Sequence, residues 1–510
     1  MGEKDDKNTT QHLTAHQINS SVAQQVAMAV KSTLGPKGMD KMIIDPLGDT
    51  VVTNDGVTIL TEMRIQHPTA KMIVDIAKTQ EEEVGDGTTT AVVFAGELMS
   101  KADFLLSKNI HPTIIIKGFK NAADHTINFL NSISESIDDE KLIDIVKTAM
   151  TGKSAELVKE YLAPIIVEAI RTAKDRDAVL LESVVGLRVK DSKLVKGVIL
   201  KKKKVHYDMP NKIVNPKIAL VSSKIGVLDM GGNTSVQVTD PNSMEKFFAQ
   251  NENIVKKMVN KIKEAKVNVV FCSKEVDDIA GYLLNKEAVL TFKNVNMEKI
   301  EALAKATGAK IISNVNDIKE EMLGKAGSVE VDESYVSVND CENPKAVTIF
   351  LQGGTEHVVD EMRRAVEDAI GVLSILIDDK KIVGGAGAVE MEVVKEINKY
   401  ADEFSGKEQL VIKAFADAIE VIPTALIDNA GLDSIDVVSK LKYAHNEGKK
   451  WAGVNVFKGE VIDSVKEGII EPVKVKIQAI ETATDVVNMI LRIDDMVAGE
   501  ERSPQNNYGA

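Results

Sequence analysis

The sequence has little cysteine, little proline and few aromatic residues. Its 510 residues include 2 Cys, 12 Pro and 4% Phe, Trp and Tyr. Two thiols, Cys272 and Cys341, cannot make a disulfide framework, and no close run of Cys and His has metal-site spacing. A reducing compartment fits that pattern. Basic charge is also short: 63 Lys and Arg against 77 Asp and Glu leave a net charge of −14. Such a balance argues against a phosphate backbone as the main partner. The basic run Lys201–Lys204 lacks an aromatic platform and reads as a solvated strand end. No stretch approaches about 18 uninterrupted apolar residues, and Met1–Lys7 lacks the apolar centre of a signal peptide. The expected location is therefore the cytoplasm, with neither nucleic acid nor membrane as partner.

What is present is a globular composition, 44% hydrophobic and 27% charged, and a length that predicts about three domains at roughly 150 residues each. Val22, Val26 and Val30 recur at helical spacing and the helix stops at Gly35-Pro36. Lys41–Asp45 and Thr50–Asn54 read as a hairpin. Ala70–Glu83 is helical again, breaks at Gly85-Asp86-Gly87, and a new helix opens at Thr88. From about Val179 to Leu351 the texture changes to short β-rich runs (Lys217–Ser222, Val267–Ser273, Lys310–Ser313, Ala346–Leu351) alternating with helical segments such as Glu275–Ala288 and Met297–Thr307, the signature of an α/β domain. Within it the helical stretch Asp240–Lys263 shows Ile254, Met258 and Ile262 at intervals too sparse for a core helix, so it is expected to project. Beyond Gly353-Gly354 the chain is long-helical to about Ala444, and Ile477–Met489 forms a last helix. The α/β block is thus inserted into a helical domain made from both chain ends.

Three glycine-rich turns carry the chemistry. Gly85-Asp86-Gly87-Thr88-Thr89-Thr90 puts two glycines, a carboxylate and three hydroxyls at a helix start, where unpaired N–H groups and the positive dipole end favour an anion. Asp86 adds the hard oxygen that Mg²⁺ bridging phosphates prefers, although Asp86 or Thr88 also serves as an ordinary N-cap. Leu34-Gly35-Pro36-Lys37-Gly38 and Val383-Gly384-Gly385-Ala386-Gly387 are the other two; the first is also a normal helix stop. Together they suggest one shared phosphate cradle. Asp55, at a strand end before Gly56, is placed to orient a water for attack on phosphate, and Asn-Asp-Gly is equally an ordinary turn. Gly152-Lys153-Ser154 does not complete a P-loop, because position 147 is Lys147 and not glycine.

Taken in order, Ser32–Met42, Thr53-Asn54-Asp55-Gly56, Gly85–Thr90, Ala414–Pro423, Asn429-Ala430-Gly431-Leu432-Asp433 and Leu491-Arg492-Ile493-Asp494-Asp495 resemble a group II chaperonin subunit, the archaeal thermosome and eukaryotic cytosolic chaperonin family. The resemblance runs from about Ser20 to Val497. It implies a multidomain fold: a mainly α-helical equatorial ATPase domain formed by both chain ends (1–138 and 383–510), a hinge-like intermediate domain (139–208 and 351–382), and an inserted α/β apical domain (209–350) with a helical protrusion as lid near Pro241–Met258.

The resemblance also implies an ATP-dependent molecular chaperone that encloses non-native protein in a double ring of eight or nine subunits per ring. The ring is homo- or hetero-oligomeric and has no separate lid co-chaperonin. The implied cofactors are ATP and Mg²⁺. Asp86 would bind Mg²⁺; Leu34, Gly35, Pro36, Gly87, Thr88, Thr89 and Thr90 would hold the phosphates; Asp55 and Asp368 would activate the water. Gly385 would lie against the nucleotide, Gly453 near its base and Glu471 on the ribose side, with Lys153 near the γ-phosphate. Ala386 stands in place of the middle glycine of the family's Gly-Gly-Gly segment. Two rival readings follow: a divergent ring subunit with weak or no ATPase, and a monomeric Mg²⁺-dependent phosphotransferase.

Overall fold

The computed structural model describes residues 15–44, 48, 50–152, 158–186, 188–227, 241–332, 335–342 and 344–495, with side chains excepted at 241–248 and 378. Sixteen α-helices occur among them: α1 Ala15–Lys31, α2 Gly56–Glu62, α3 Pro68–Val84, α4 Thr88–Ser107, α5 Pro112–Ile133, α6 Leu142–Met150, α7 Lys159–Ala173, α8 Pro241–Glu264, α9 Asp278–Lys286, α10 Met297–Thr307, α11 Glu356–Asp378, α12 Ala388–Ala401, α13 Lys407–Ile419, α14 Val421–Asn429, α15 Ser434–Asn446 and α16 Val473–Leu491. The chain forms two compact units. One comprises the described residues of 1–156 and 367–510, the other those of 157–366. Of the described residues of the expected hinge segments, 139–152 and 367–382 belong to the first unit, and those of 158–208 and 351–366 to the second.

The first unit is organised around α4. Phe94, Leu98, Met99, Ala102 and Leu105 are all buried there together with Ala91, Val92, Val93 and Ala95, so the helix is apolar around most of its circumference, as a helix near the centre of a bundle must be, and only the stripe with the Glu97–Lys101 ion pair and Phe104 reaches solvent. Helices α1, α3, α5, α12, α13 and α16 contribute to the same core. Phe94 meets Phe415 of α13 edge-on, ring centroids 5.5 Å apart, a geometry that suits the ring quadrupoles. Burying a side chain of that size stabilises by about 2–3 kcal/mol. At Gly96 a Cβ would lie 2.2 Å from the Ala27 Cβ, so α1 and α4 approach more closely there than side chains allow.

Local signals set the helix ends that matter. Pro68 opens α3 behind His67, whose ring accepts the Thr69 N–H at 3.2 Å. Gly85 closes it in the left-handed conformation, φ +70°. Three short sheets join the bundle: the antiparallel hairpins Lys41–Ile44 with Thr50–Thr53 and Ala452–Asn455 with Glu460–Asp463, and Lys381–Gly384 flanked by Ile470–Pro472 and Glu135–Ser136. The strand Lys381–Gly384 differs from the expectation of a chain that is long-helical from Gly353-Gly354 to about Ala444. Its partner strands lie far away in sequence, so no local pattern announces it. The expected hairpin turn at residues 45–47 and 49 lies outside the described residues.

The second unit alternates strands and helices. Leu290–Phe292, Val269–Cys272, Lys217–Val221 and Ile311–Ile312 lie parallel in that order, with Gly324–Lys325 antiparallel to Lys217–Val221. Phe271 and Phe292 stack at 4.9 Å within this sheet. A four-stranded antiparallel sheet and a three-stranded sheet of Val179–Val185, Val347–Gly353 and Lys193–Val195 complete it. Helix α8 differs from expectation. Val255, Val259 and Ile262 are buried, while Ile254 is 38% exposed; of the positions that the spacing singled out Ile262 lies in the buried stripe, and at Ile254 and Met258 the stripe runs one residue further on, at Val255 and Val259. The side chains of Phe247 and Phe248 and the whole of 228–240 lie outside the described residues. No described helix is long and apolar enough to cross a membrane.

Candidate functional site

Helix α4 begins with an uncapped start. Gly87 stands at its N-cap with φ +80° and offers no side-chain cap, so the first N–H groups of Thr88, Thr89 and Thr90 face outward along the helix axis, the arrangement that attracts an anion. Asp86 Oδ1 accepts the Gly87 N–H at 2.8 Å, and Gln80 Nε2 donates to Asp86 O at 2.9 Å and to Val475 O at 3.1 Å. The turn is thereby tied from below to α3 and α16. A Cβ at Gly87 would strike Val475 Cγ1 at 2.9 Å, so only glycine fits.

Asp55 lies on the neighbouring wall. As N-cap of α2 its Oδ2 accepts the Thr58 N–H at 2.8 Å and the Thr58 hydroxyl at 2.7 Å, which fixes the carboxylate. The next residue, Gly56, packs on the start of α4: a Cβ there would lie 2.5 Å from Thr89 Oγ1 and 3.3 Å from Thr88 Oγ1. Asp368 approaches from α11. One turn further along that helix, Gly371 presses on the Gly85 backbone at the end of α3, and residues three apart share a helix face. The three expected carboxylates thus come from three segments that all abut the Gly85–Thr90 turn.

The first glycine turn joins on the far side. Gly35, φ +86°, leaves no room for a side chain beside Leu426, and a Cβ at Gly152 would lie 2.7 Å from Gly35 O. Asn54 Nδ2 donates to Gly152 O at 2.6 Å, and Asn429 Nδ2 donates to Lys31 O and Leu34 O at 2.9 and 2.8 Å. Pro36 packs on Gly152 as well. The third turn closes the ring of contacts. Gly387, φ +77°, is the N-cap of α12, again with no side-chain cap, and packs on Pro423 and Leu426. A Cβ at Gly385 would sit 2.7 Å from Glu471 Oε1, and one at Gly453 would sit 3.0 Å from Ala386 O. Ala386 itself holds φ +57° and accepts the Val454 N–H at 3.0 Å. Burial pushes the Glu471 carboxyl up, Lys476 opposes that shift, and the nearby charges of Glu390 and Asp86 add to it.

The segments that carry the expected site residues thus form one continuous set of contacts, Asp368 joining it through Gly371 one turn away; Lys153 lies outside the described residues. Sequence reasoning missed Asn54, Gln80, Gly371, Leu426, Asn429, Glu390 and Lys476. Asn54 and Asn429 alone had a signal, since each stands in one of the quoted motifs.

Comparison with known proteins gives the family. The model of the TCP-1/cpn60 chaperonin family matches residues 26–501. The chain belongs to this family. Among its relatives, the thermosome subunit of Methanopyrus kandleri is 46% identical over 96% of this chain and 93% of its own. The thermosome subunits alpha and beta of Archaeoglobus fulgidus are 47% and 48% identical, each over 97% of this chain and 94% of theirs. At this likeness the chain is a group II chaperonin subunit, and the chaperonin is ATP-dependent.

The chaperonin's first unit also fits the metal that the resemblance implies. Among the described residues no group of three or more His, Cys, Asp and Glu side chains converges as a metal site. A Mg²⁺ ion bound to a nucleotide needs no such group, since phosphates and water supply most of its ligands and one or two carboxylates suffice. Asp86, half-buried in the turn before the uncapped start of α4, is the carboxylate that would provide that oxygen.

Proposed function

We propose that this cradle binds and hydrolyses ATP. The observation that carries the reading is the convergence of Asp55, Asp86 and Asp368 segments on the uncapped start of α4. The Thr88–Thr90 N–H groups and hydroxyls, Gly87 and the Leu34-Gly35-Pro36 turn hold the phosphates, and Lys153 senses the γ-phosphate. Asp86 holds Mg²⁺, which supplies charge neutralisation to the phosphate oxygens. Asp55 is fixed by Thr58 through Oδ2 and turns its other oxygen to the attacking water; Asp368 takes the opposite side, so that the pair orients the water and accepts its proton. Gly385 and Gly453 form the wall against ribose and base, and Glu471 accepts from the ribose.

Asp368 also explains how hydrolysis couples to motion. It stands two residues inside the first unit on a helix that continues unbroken into the second. Movement of the second unit carried along α11 shifts this carboxylate and sets the moment at which water is correctly held. On this reading the first unit is the equatorial domain, and the apical domain, with a helical lid, is carried by hinge segments 139–208 and 351–382. Subunits assemble as a double ring of eight or nine per ring that encloses unfolded or partly folded clients, without a separate co-chaperonin, in the cytoplasm. The relatives include separately named alpha and beta subunits in one organism, which favours hetero-oligomers for this chain as well.

The test combines phosphate release with electron microscopy of the purified protein with and without ATP. Asp368→Ala is expected to keep nucleotide affinity and lose turnover by about 10²-fold or more. A wild-type protein that binds ATP but releases no phosphate would overturn the hydrolytic reading, and a particle of single-chain size would overturn the ring.

A further inference from the structure

Lys476, in the first turn of α16, stands among buried acids. Its side chain is 12% exposed, and its ammonium lies 2.6 Å from Glu471 Oε2 and 2.9 Å from Glu390 Oε1. Glu390, with a side chain only 6% exposed, belongs to the first turn of α12, directly after the Gly384–Gly387 turn. One ammonium thus ties together the two elements that frame this turn. Burial disfavours its charge, but the Glu390 and Glu471 carboxylates outweigh that and push the lysine pKa up, so the cation persists.

The Glu471 carboxylate is divided. Its Oε2 is held by Lys476, while Oε1 faces the glycine turn, 2.7 Å from where a Gly385 Cβ would stand. A buried ion pair is weak evidence for stability, because apolar groups of equal volume serve as well. What it fixes is orientation: an unheld carboxylate rotates about its last torsion and presents either oxygen.

Resting on Glu471 as the ribose contact, we infer that Lys476, anchored by Glu390, is a positioning residue that aims Glu471 Oε1 at a ribose hydroxyl and so sets a preference for ribonucleotides over deoxyribonucleotides. Neither Lys476 nor Glu390 needs to touch the nucleotide. A hydroxyl donating to a held carboxylate strengthens binding by about tenfold or more, and a deoxynucleotide forfeits that term alone.

The test is calorimetric titration of the assembled protein with ADP, 2′-deoxy-ADP and 3′-deoxy-ADP in the presence of Mg²⁺, which reads binding without turnover. Wild type is expected to prefer ADP over the weaker deoxy analogue by about tenfold. Glu471→Ala and Lys476→Met each bring that ratio to about one, and Lys476→Met leaves the deoxy analogue within about threefold of its wild-type affinity. Glu390→Gln lowers the ratio to about threefold, and Lys476→Arg retains most of it. If Glu471→Ala loses the preference while Lys476→Met and Glu390→Gln keep it, or if Lys476→Met weakens all three nucleotides equally, the positioning role is overturned and the ribose contact stands. If Glu471→Ala keeps the full ratio, the ribose contact itself is wrong and the inference falls with it. Should Lys476→Met fail to assemble, Glu390→Gln decides.

Discussion

Gly85 and Gly371 meet backbone to backbone: a methyl group built on either lies within 2.7–2.8 Å of the other's Cα. Glycine within a helix costs about 1 kcal/mol relative to alanine, so its place in the middle of α11 reflects what it packs against. Because Asp368 lies one turn from Gly371 and Asp86 follows Gly85, this contact sets the separation of the two carboxylates proposed for the site. Gly371→Ala must push the helices apart, since neither neighbour is a flexible side chain. Phosphate release is expected to fall by roughly 10- to 100-fold, because a misplacement of about 1 Å has that effect on oriented groups. ADP affinity stays within about threefold. Unchanged turnover would show that the contact does not position Asp368.

Asp55 caps a helix and in the proposed function is also a site carboxylate, and two substitutions separate the roles. Asp55→Asn keeps an oxygen for the Thr58 N–H and hydroxyl but removes the charge. Turnover is expected to drop by about 10²-fold or more with the thermal midpoint almost unmoved. Asp55→Ala removes the cap as well and costs about 1 kcal/mol in addition, read as a lower midpoint. If the asparagine variant turned over like wild type, the carboxylate would have no part in handling water.

The sequence carried the local elements well wherever both ends of an element had their own signal. Helix α10 runs from Met297 to Thr307 as the spacing predicts, because Asn296 caps its start, accepting the Glu298 N–H at 3.3 Å, and Gly308 closes it in the left-handed conformation. The glycine turns were legible as turns, and Asp86 as an oxygen donor at a helix start. What could not be read was who meets whom. Strand Lys381–Gly384 is four residues long and exists because Glu135 and Glu471 segments pair with it. Lys476 reads in sequence as one more solvated helix lysine; only the fold buries it between Glu390 and Glu471. For α8, picking Ile254 and Met258 selected the wrong edge of the stripe, since Val255 and Val259 are smaller and less conspicuous but are the residues that pack.

Ala386 is a departure that the structure accommodates. Its φ of +57° is left-handed, which disfavours alanine by about 1–2 kcal/mol, while glycine there would add freedom to the unfolded chain worth about 0.4–1 kcal/mol. The two effects oppose each other, so Ala386→Gly is expected to change stability by no more than about 1 kcal/mol, in the stabilising direction. Nucleotide affinity shifts by less than about threefold, as the carbonyl that holds Val454 is retained. Gly453→Ala is the contrasting case. Its methyl would lie 3.1 Å from the Ala386 Cβ and 3.0 Å from the Ala386 carbonyl oxygen, and calorimetry with ADP should show a clear loss of affinity. Equal behaviour of the two variants would mean that this wall does not border the nucleotide.

A buried charge cluster makes the first unit sensitive to acid. His445, with its side chain 1% exposed, places Nδ1 2.5 Å from Glu392 Oε2 and Nε2 2.8 Å from Ala452 O, and Lys395 lies 3.0 Å from Glu392 Oε1. Burial would raise the Glu392 carboxyl, but the hydrogen bonds from His445 and Lys395 outweigh it and hold the group below the usual carboxylate range. An acid with a lowered folded pKa binds fewer protons folded than unfolded, so its contribution is fully present above the unfolded value, about 4.3, and is lost as pH falls through the folded one. Glu392→Gln should therefore unfold at a lower temperature than wild type at about pH 6, with the gap closing as pH drops below about 4. Thermal scans by circular dichroism across that range check it. A gap that stays constant down to acid pH would mean that Glu392 contributes through packing and not through its charge.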